Sequence, residues 1–380
     1  MRKELLKKIQ EIRDSKVIVY CTGDRQPTNA RIAEDAVRPL YEHLLGIGHN
    51  KKIDLFLYSR GGDVSVPWRI VSMFREFCDE LSVLIPYKAH SAATLLSIGT
   101  DKIIMGKKSE LGPIDPTLVR MTAGESASPP QEISVEDVNS YISFIRDKAN
   151  INDQSALAQT VSILANNLSP LTLGSVNRQN SHIRLVARKL LTSRNEKLDE
   201  AKITSIIETL TEKFYSHGHA IGRKEAQEIG LPIERASEDL EKALWELYLK
   251  YEEFLALTEN IDPILTLGAN ENIKKENVPI AVIESENKLH IFDVQLELKK
   301  RRQVPQNPNL NINFSLNLPP NINPAELPQQ VQQALQQLIN QIAGQIQNLV
   351  LQELIKQSPE IGIDVRVYGG QWRLKKGDLR

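Results

Sequence analysis

Two short stretches of the sequence decide the predicted fold. The first, IDLFLYSRGGD at residues 53–63, runs from apolar residues directly into a pair of glycines. The second, SVLIPYKAHSAATLL at residues 82–96, leaves another apolar run and places Ser91 among small residues. A short apolar run that ends at turn residues is typical of a buried strand. Each stretch therefore predicts a buried strand that leads through a tight turn into a helix.

The same alternation extends over the first third of the chain. Apolar residues recur at helical intervals between the apolar runs, which predicts a helix after each strand. Strands and helices that alternate at this spacing indicate an α/β fold with a parallel sheet and crossover helices. The predicted strands are 17–22, 53–58, 82–86 and 102–105, and the predicted helices are 30–45, 68–81 and 91–98.

The rest of the chain changes character twice. Residues 134–257 have helical periodicity, and no strand is evident there. Residues 279–283 and 288–298 predict two paired strands around a polar turn. Between residues 303 and 352 the only charged residue is Glu326. The chain thus predicts an α/β region, a helical segment and a small α+β extension.

The extension contains an uncharged amphipathic helix. Residues 328–357 are rich in glutamine, and their apolar residues recur at intervals of three and four, which predicts a helix with one apolar stripe. Such a stripe suits packing on the chain's own domain or on a partner subunit. The sequence around this helix predicts a strand-like patch at 310–318 and a strand at 362–368. The stripe consists of Val331, Leu335, Leu338, Ile342, Ile346 and Leu349.

Composition excludes several classes of function. The 380 residues carry 47 basic and 48 acidic side chains, so no net charge favours nucleic acid or an anionic membrane. Cys21 and Cys78 fit no metal or redox spacing and are predicted to be reduced core thiols. The N-terminus lacks a signal-peptide pattern, and no apolar run is long enough for a membrane span. We therefore expect a cytoplasmic protein with no metal, no cofactor and no nucleic-acid partner.

Ser91 has two interpretations from its position at a predicted helix start. A serine there commonly caps the helix by accepting a hydrogen bond from an amide two or three residues on. It could instead be a nucleophile, because neighbouring strands bring the turns at Gly61–Gly62 and Ser91 to one sheet edge. The backbone amides of Gly62, or Gly61, and Ala92 would then form an oxyanion hole over Ser91.

The order of these motifs resembles the Clp/crotonase superfamily. The pattern runs strand, Gly-Gly, helix, strand, AHSA at residues 89–92, helix, strand and then LGPIDP at residues 111–116. Within the superfamily, the chain is similar to the serine dehydrogenase proteinase family, a relative of Clp-type proteases and signal peptide peptidase A. The similarity covers residues 17–233 and includes SHGHAI at 216–221 and the segment 225–231.

The resemblance implies a serine peptidase with a Ser, Asp, His triad in that chain order. Transferred by motif, the nucleophile is Ser91, the orienting acid is Asp115 and the general base is His217, with His219 as the alternative base. Asp115 also fits an ordinary turn between Ile114 and Pro116. In Clp-type proteases the chain order implied by the resemblance is Ser, His, Asp, so the general base and the orienting acid would exchange positions here. Such an exchange would conserve the geometry of the triad.

Two other residues are alternative candidates for the general base. His90 precedes Ser91, and a sequence neighbour usually points the wrong way to accept its proton. Lys148 would match the lysine base of signal peptide peptidases, but a lysine needs burial to act as a base. The chain also departs from the family pattern at two positions. Arg60 stands where the family usually has proline or a small residue before Gly-Gly, and Ala93 stands where a glycine commonly follows the nucleophile motif. Arg60 would either steer acidic substrate groups or block the groove.

These expectations divide the chain into three parts. Residues 1–235 would form the Clp/crotonase-like peptidase domain, 236–270 a helical connection, and 271–380 an extension for oligomerisation or partner binding. The predicted function is hydrolysis of peptide or protein substrates, and superfamily members usually form oligomers. The alternative is a catalytically inactive scaffold that recruits partner proteins. Crotonase-like acyl-CoA chemistry is disfavoured, because the serine and histidine motifs fit a hydrolase better.

Overall fold

A computed structural model describes the chain at residues 2–114, 117–120, 131–214, 218–303 and 327–375. Its residues form two compact units. The first comprises Met1–Ile261, Asn277–Val294 and Tyr368–Arg380, and the second comprises Asp262–Glu276 and Gln295–Val367. The three-part division at residues 235 and 270 stays a prediction.

The strands follow one another as β1 (Lys16–Thr22), β2 (Asn50–Tyr58), β3 (Cys78–Ile85), β4 (Lys88–Ala89), β5 (Lys102–Met105), β6 (Glu110–Leu111), β7 (Thr117–Arg120), β8 (Gln131–Ser134), β9 (Ile221–Gly222), β10 (Ile233–Arg235), β11 (Asn272–Glu284), β12 (Leu289–Arg302) and β13 (Glu360–Leu374). Eight of them form one sheet in the order β10-β5-β3-β2-β1-β11-β12-β13. β4, β6 and β9 form a separate small sheet, and β7 pairs with β8.

The helices are α1 (Arg2–Arg13), α2 (Val37–Ile47), α3 (Val66–Arg75), α4 (Ala92–Ile98), α5 (Val135–Ser143), α6 (Gln154–Asn167), α7 (Pro170–Thr192), α8 (Glu200–Glu208), α9 (Arg223–Ile229), α10 (Glu238–Phe254), α11 (Pro263–Leu267) and α12 (Gln329–Gln357). A short 3-10 helix at Glu34–Ala36 precedes α2, and π-helical turns at Phe144–Lys148 and Thr209–Lys213 follow α5 and α8. The predicted Gln-rich helix is therefore present as α12.

The main sheet of the first unit is parallel through its centre. β10, β5, β3, β2 and β1 run parallel to their neighbours, and β11 closes the β1 edge antiparallel. A sheet covered on both faces needs strands that are apolar throughout. Helices α2, α3 and α4 cover one face with residues such as Leu40, Phe74 and Leu95. Helices α1 and α10 cover the other, with Leu6 and Leu244. The predicted α/β class is confirmed.

Several predicted boundaries were wrong. The helix predicted at 68–81 ends at Arg75, because Cys78 already begins β3. The helix predicted at 30–45 begins only at Val37, because Ile32 pairs with Gly62 instead. The helical region also contains the short strands β9 and β10, which are too brief to give a strand period. The strand-like patch predicted at 310–318 lies outside the described residues.

Both cysteines are buried and unpaired, as predicted. Burial raises the pKa of the Cys78 thiol to about 12 and that of Cys21 well above its ordinary value. Neither thiol is therefore a reactive thiolate at neutral pH. Within the described ranges, no helix has both the length and the apolar character that a membrane crossing requires.

The second unit contains α11, α12 and the outer parts of β11, β12 and β13. Basic residues at the end of β12 form ion pairs with acidic residues of the same unit. Arg302 contacts Glu271 at 2.6 Å and Lys300 contacts Glu360 at 2.7 Å. No residue with a described side chain in α12 is buried.

Within the first unit, two buried polar networks flank the turn between β11 and β12. On one side, Glu284 accepts hydrogen bonds from Arg2 and Tyr251, each at 2.9 Å. Burial raises the pKa of Glu284, although Arg2 opposes this effect. On the other side, His43 Nδ1 lies 2.7 Å from Ser285 Oγ, and His43 Nε2 lies 3.0 Å from His290 Nδ1.

The histidine network makes the fold sensitive to acid. His43 is fully buried, and this burial lowers its pKa to about 3, with further lowering by His290 and Lys288. Burial also lowers the pKa of His290, although Glu42 at 3.2 Å opposes this. A histidine with a depressed pKa in the folded state stabilises the protein above its unfolded pKa and loses that contribution as pH falls.

We predict that the unfolding free energy falls as pH drops from about 6.5 toward 3, by up to about 1.4 kcal/mol per pH unit from His43. Urea unfolding at several pH values measures this slope. His43→Phe should be less stable at pH 7.5, because the buried Ser285 hydroxyl and His290 Nδ1 lose their contacts with His43. Its free energy should depend less on pH, and equal slopes in the two proteins would contradict the prediction.

Candidate active site

The two sequence stretches that predicted the fold meet directly. Ser59, just after β2, forms a parallel bridge with Ala89 at the end of β4. The Ser59 amide donates to Lys88 at 3.0 Å, and the His90 amide donates to the Ser59 carbonyl at 3.0 Å. The glycine turn and the Ser91 turn therefore lie side by side, as predicted.

Gly61 lies against Ser91. Its φ of 107° is in the region that favours glycine. A Cβ atom at Gly61 would come within 2.8 Å of both the Ser91 Cβ and the His90 carbonyl oxygen. The Gly61 amide donates to Ser59 Oγ at 3.0 Å, and Ser59 in turn accepts from Thr22 at 2.7 Å. Of the two glycine amides predicted for an oxyanion hole, that of Gly61 is thus already engaged.

Gly62 is held by a backbone bridge to Ile32. The Ile32 amide donates to the Gly61 carbonyl at 2.8 Å, and the Asp63 amide donates to the Ile32 carbonyl at 2.9 Å. Successive peptide groups of an extended chain point to opposite edges. The Gly62 amide therefore lies on the edge away from Ile32. A Cβ at Gly62 would stand 2.1 Å from the Ile32 carbonyl oxygen, so only glycine fits.

Ser91 adopts a strained backbone conformation. Its φ is 52° and its ψ is −115°, although it is not a glycine. Such conformations cost on the order of 1–3 kcal/mol and cluster at functional sites. Ser91 stands at the N-cap of α4, yet its hydroxyl makes no capping hydrogen bond. The capping interpretation of this serine is therefore wrong. The neighbouring Ala92 is the first residue of α4.

Thr94 fastens the Ser91 turn to the segment that follows β6. Its buried hydroxyl lies 2.8 Å from the carbonyl oxygens of both Ala89 and Gly112. The same hydroxyl accepts from the Gly112 amide at 3.2 Å. Sequence reasoning assigned no role to Thr94. Small hydroxyl residues on helices are common, and only the fold shows which of them bridge two segments.

The small sheet brings three chain segments to one end. Ala89 of β4 pairs with Leu111 of β6, which pairs with Ile221 of β9. β4 and β6 are parallel, and β9 is antiparallel to β6. Ser91, two residues after Ala89, and His219, two residues before Ile221, therefore leave the sheet at the same end.

The predicted partners of Ser91 are only partly described. His217 and Asp115 lie outside the described residues. His219 Nε2 lies 2.9 Å and 3.2 Å from the two carboxylate oxygens of Glu225. Its ring stacks on Phe214 at a centroid distance of 4.6 Å. Glu225 belongs to the segment 225–231 that supported the family resemblance, but sequence reasoning did not identify it as a partner of histidine.

The competing bases have other surroundings. His90 packs against Gly112, and its Nε2 lies 3.2 Å from Glu110. Burial lowers the pKa of His90, whereas Glu110 opposes the change. Lys148 is exposed, so it lacks the burial that a lysine base requires. Arg60 contacts Asp24 at 2.6 Å and is more than half exposed.

The sheet topology and the paired glycine and serine turns define a ClpP-like α/β fold. Residues 1–169 match the family described as ClpP-like SDH-type serine proteinases, which is the resemblance that the motifs predicted. The predicted fold class is thus confirmed, and the predicted family resemblance is confirmed over residues 1–169. The identity of the general base stays a prediction.

Two curated relatives come from Methanocaldococcus jannaschii. The uncharacterized protein MJ0137 is 27% identical over 199 residues, which are 52% of this chain and 59% of that protein. The uncharacterized protein MJ1495 is 33% identical over 66 residues, 17% of this chain and 23% of that protein. The match therefore spans less than two thirds of either relative.

Solved structures similar to this chain include two proteases. A membrane-bound stomatin-specific protease, 1510-N, bound to a substrate peptide is 15% identical, with a TM-score of 0.29 over 54% of this chain and 71% of that one. ClpP1 from Listeria monocytogenes is 13% identical, with a TM-score of 0.31 over 61% of this chain and 98% of that one.

We predict that Gly62→Ala disrupts the site, because the added methyl group would overlap the Ile32 carbonyl. The unfolding free energy should fall by more than about 2 kcal/mol. Gly174→Ala in α7 is the matched control, since no atom lies within 4 Å of the new Cβ. Removing a helical glycine should stabilise the protein by about 0.4–1 kcal/mol. Urea denaturation measures both, and equal effects would contradict the prediction.

Proposed function

We propose that the chain is a serine peptidase in which Ser91 is the nucleophile. The observation that carries the proposal is the strained Ser91 turn, whose hydroxyl does not cap α4 and which packs against Gly61. The match of residues 1–169 to a serine proteinase family supports the same chemistry. A strained, uncommitted serine beside free backbone edges is typical of a nucleophile rather than of a structural residue.

In the proposed reaction, Ser91 Oγ attacks the carbonyl carbon of a peptide bond. A histidine of the 217–219 loop accepts the hydroxyl proton and later donates it to the leaving amine. The resemblance assigns this role to His217, oriented by Asp115, with His219 as the alternative. The amides of Gly62 and Ala92 would stabilise the oxyanion. Water then releases the acyl group from Ser91 with the same histidine as base.

We propose that the substrate binds as an extended strand along the Gly62 edge. The bridge to Ile32 occupies only one edge of residues 61–63. The opposite edge carries the Gly62 amide and carbonyl, which would pair with an extended peptide. Substrates would therefore be unfolded peptide segments in the cytoplasm, and folded domains would be cleaved only after local unfolding.

We predict that a fluorophosphonate probe labels the wild-type protein and that Ser91→Ala abolishes labelling. Peptidase activity on an unfolded protein should fall at least about 10³-fold. Ser97→Ala is the matched control, because Ser97 lies in the same helix, is buried and donates only to the Ala93 carbonyl at 2.7 Å. A wild-type protein that is neither labelled nor active would refute the proposed function.

We also propose that α12 assembles copies of the chain. The helix has 29 residues, and its apolar stripe remains exposed, as Leu338 at 52% and Leu349 at 64% show. In proteins, most of the stability of an amphipathic helix comes from packing of its apolar face, so a partner that covers this stripe would stabilise α12. Residues 329–352 carry no charge that would repel a second copy.

We predict that Leu338→Glu lowers the oligomer mass in native mass spectrometry at micromolar concentration, because it places a charge in the stripe. Gln347→Glu adds the same charge on the opposite face of α12 and should leave the mass unchanged. A wild-type monomer, or the same mass for all three proteins, would exclude assembly through this helix.

A further inference from the structure

We infer that Glu225 positions His219 as the general base toward Ser91, in a Ser–His–Glu arrangement. The inference rests on the proposed function and specifies its base. His219 and Glu225 lie on either side of β9, and the turn from β9 into α9 brings the two side chains together. Both carboxylate oxygens contact Nε2, at 2.9 Å and 3.2 Å.

The contact with Glu225 selects the tautomer of His219. An ionised carboxylate only accepts hydrogen bonds, so Nε2 must carry the hydrogen. In the neutral ring, Nδ1 then has the lone pair. The stacking of Phe214 at an interplanar angle of 22° fixes the plane of the ring. His219 is thus held with one nitrogen engaged and the other ready to accept a proton.

The position of His219 relative to Ser91 follows from the small sheet. Ala89, Leu111 and Ile221 stand in register across its three strands. Adjacent strands are about 4.8 Å apart, so β4 and β9 are separated by roughly 10 Å across β6. Ser91 and His219 leave these outer strands at the same end of the small sheet, on either side of β6.

The proton transfers balance without any further reactant. Nδ1 of His219 accepts the hydroxyl proton as the Ser91 Oγ–carbon bond forms. Glu225 stays ionised and stabilises the imidazolium, which then gives the proton to the leaving amine as the carbon–nitrogen bond breaks. Glu225 touches neither substrate nor the reacting atoms, so it is a positioning residue.

A second histidine–carboxylate pair in the same sheet is less suited to this role. His90 Nε2 lies 3.2 Å from Glu110. The His90 ring, however, packs on Gly112, whose Cβ would come within 2.9 Å of it. This packing directs the ring toward β6. His219 instead lies at the free end of the sheet, where its side chain is 41% exposed.

The test compares Glu225→Gln, Glu225→Asp and Glu228→Gln in the full chain, using a fluorogenic peptide. Glu225→Gln should lower kcat at least about 10²-fold with KM within about threefold, and Glu225→Asp should recover part of the loss. Without the carboxylate the imidazolium is less stable, so the acid limb of kcat/KM should move to lower pH. Glu228→Gln removes an exposed charge from the same helix and should match the wild type.

Two further measurements separate failure of this inference from failure of the proposed function. Cleavage by the wild type and its labelling at Ser91 would support the proposed function. If Glu225→Gln then keeps the wild-type kcat and pH profile while His217→Ala is inactive, the general base is His217 and the inference about Glu225 is wrong. Nitrogen NMR of the neutral histidines should show Nε2–H at His219, and Glu225→Gln should lose this preference. An unchanged tautomer would overturn the positioning role even in a protein without peptidase activity.

Discussion

The backbone pairing between Ile32 and the Gly61–Asp63 segment is the constraint on which the candidate site depends. It uses one edge of the glycine turn and leaves the Gly62 amide and carbonyl on the other edge. Because Gly61 lies against Ser91 and Gly62 against Ile32, neither position has room for a side chain. The turn is therefore fixed from two sides, and it holds the serine in a conformation that an isolated helix start would not adopt.

Much of the central sheet could be predicted from the sequence, because strands buried on both faces are apolar throughout and end at turn residues. The juxtaposition of Gly61, Gly62 and Ser91 followed from the rule that parallel strands present their ends at one edge. Boundaries were less predictable. Phe74 and Cys78 fit one helical face, yet Cys78 begins a strand. An apolar run this short fits both the helical and the strand period, so the sequence did not show where the helix ends.

The supports of the site were not predictable for a different reason. Thr94 and Glu225 act through partners far away in sequence or across a turn, namely Gly112 and His219, and neither leaves a local pattern. A hydroxyl or carboxylate side chain on a helix normally faces solvent, so the residue type alone does not show whether it contacts a distant segment. Only the register of the small sheet shows which polar side chains meet. Motifs therefore pointed to Ser91 as the candidate nucleophile, whereas the contacts of Thr94 and Glu225 are visible only in the fold.

The antiparallel pairing of β1 with β11 has a consequence for how the first unit is made. β1 is synthesised long before its antiparallel partner, because one of its two edges is completed only by residues 281–284. Until then a nascent chain exposes an apolar strand edge of the kind that invites wrong pairing. The buried Glu284 also finds Arg2 and Tyr251 only at that stage. A chain that stops before the hairpin leaves this edge of β1 unpaired, and we expect such a ribosome-bound chain to need chaperones.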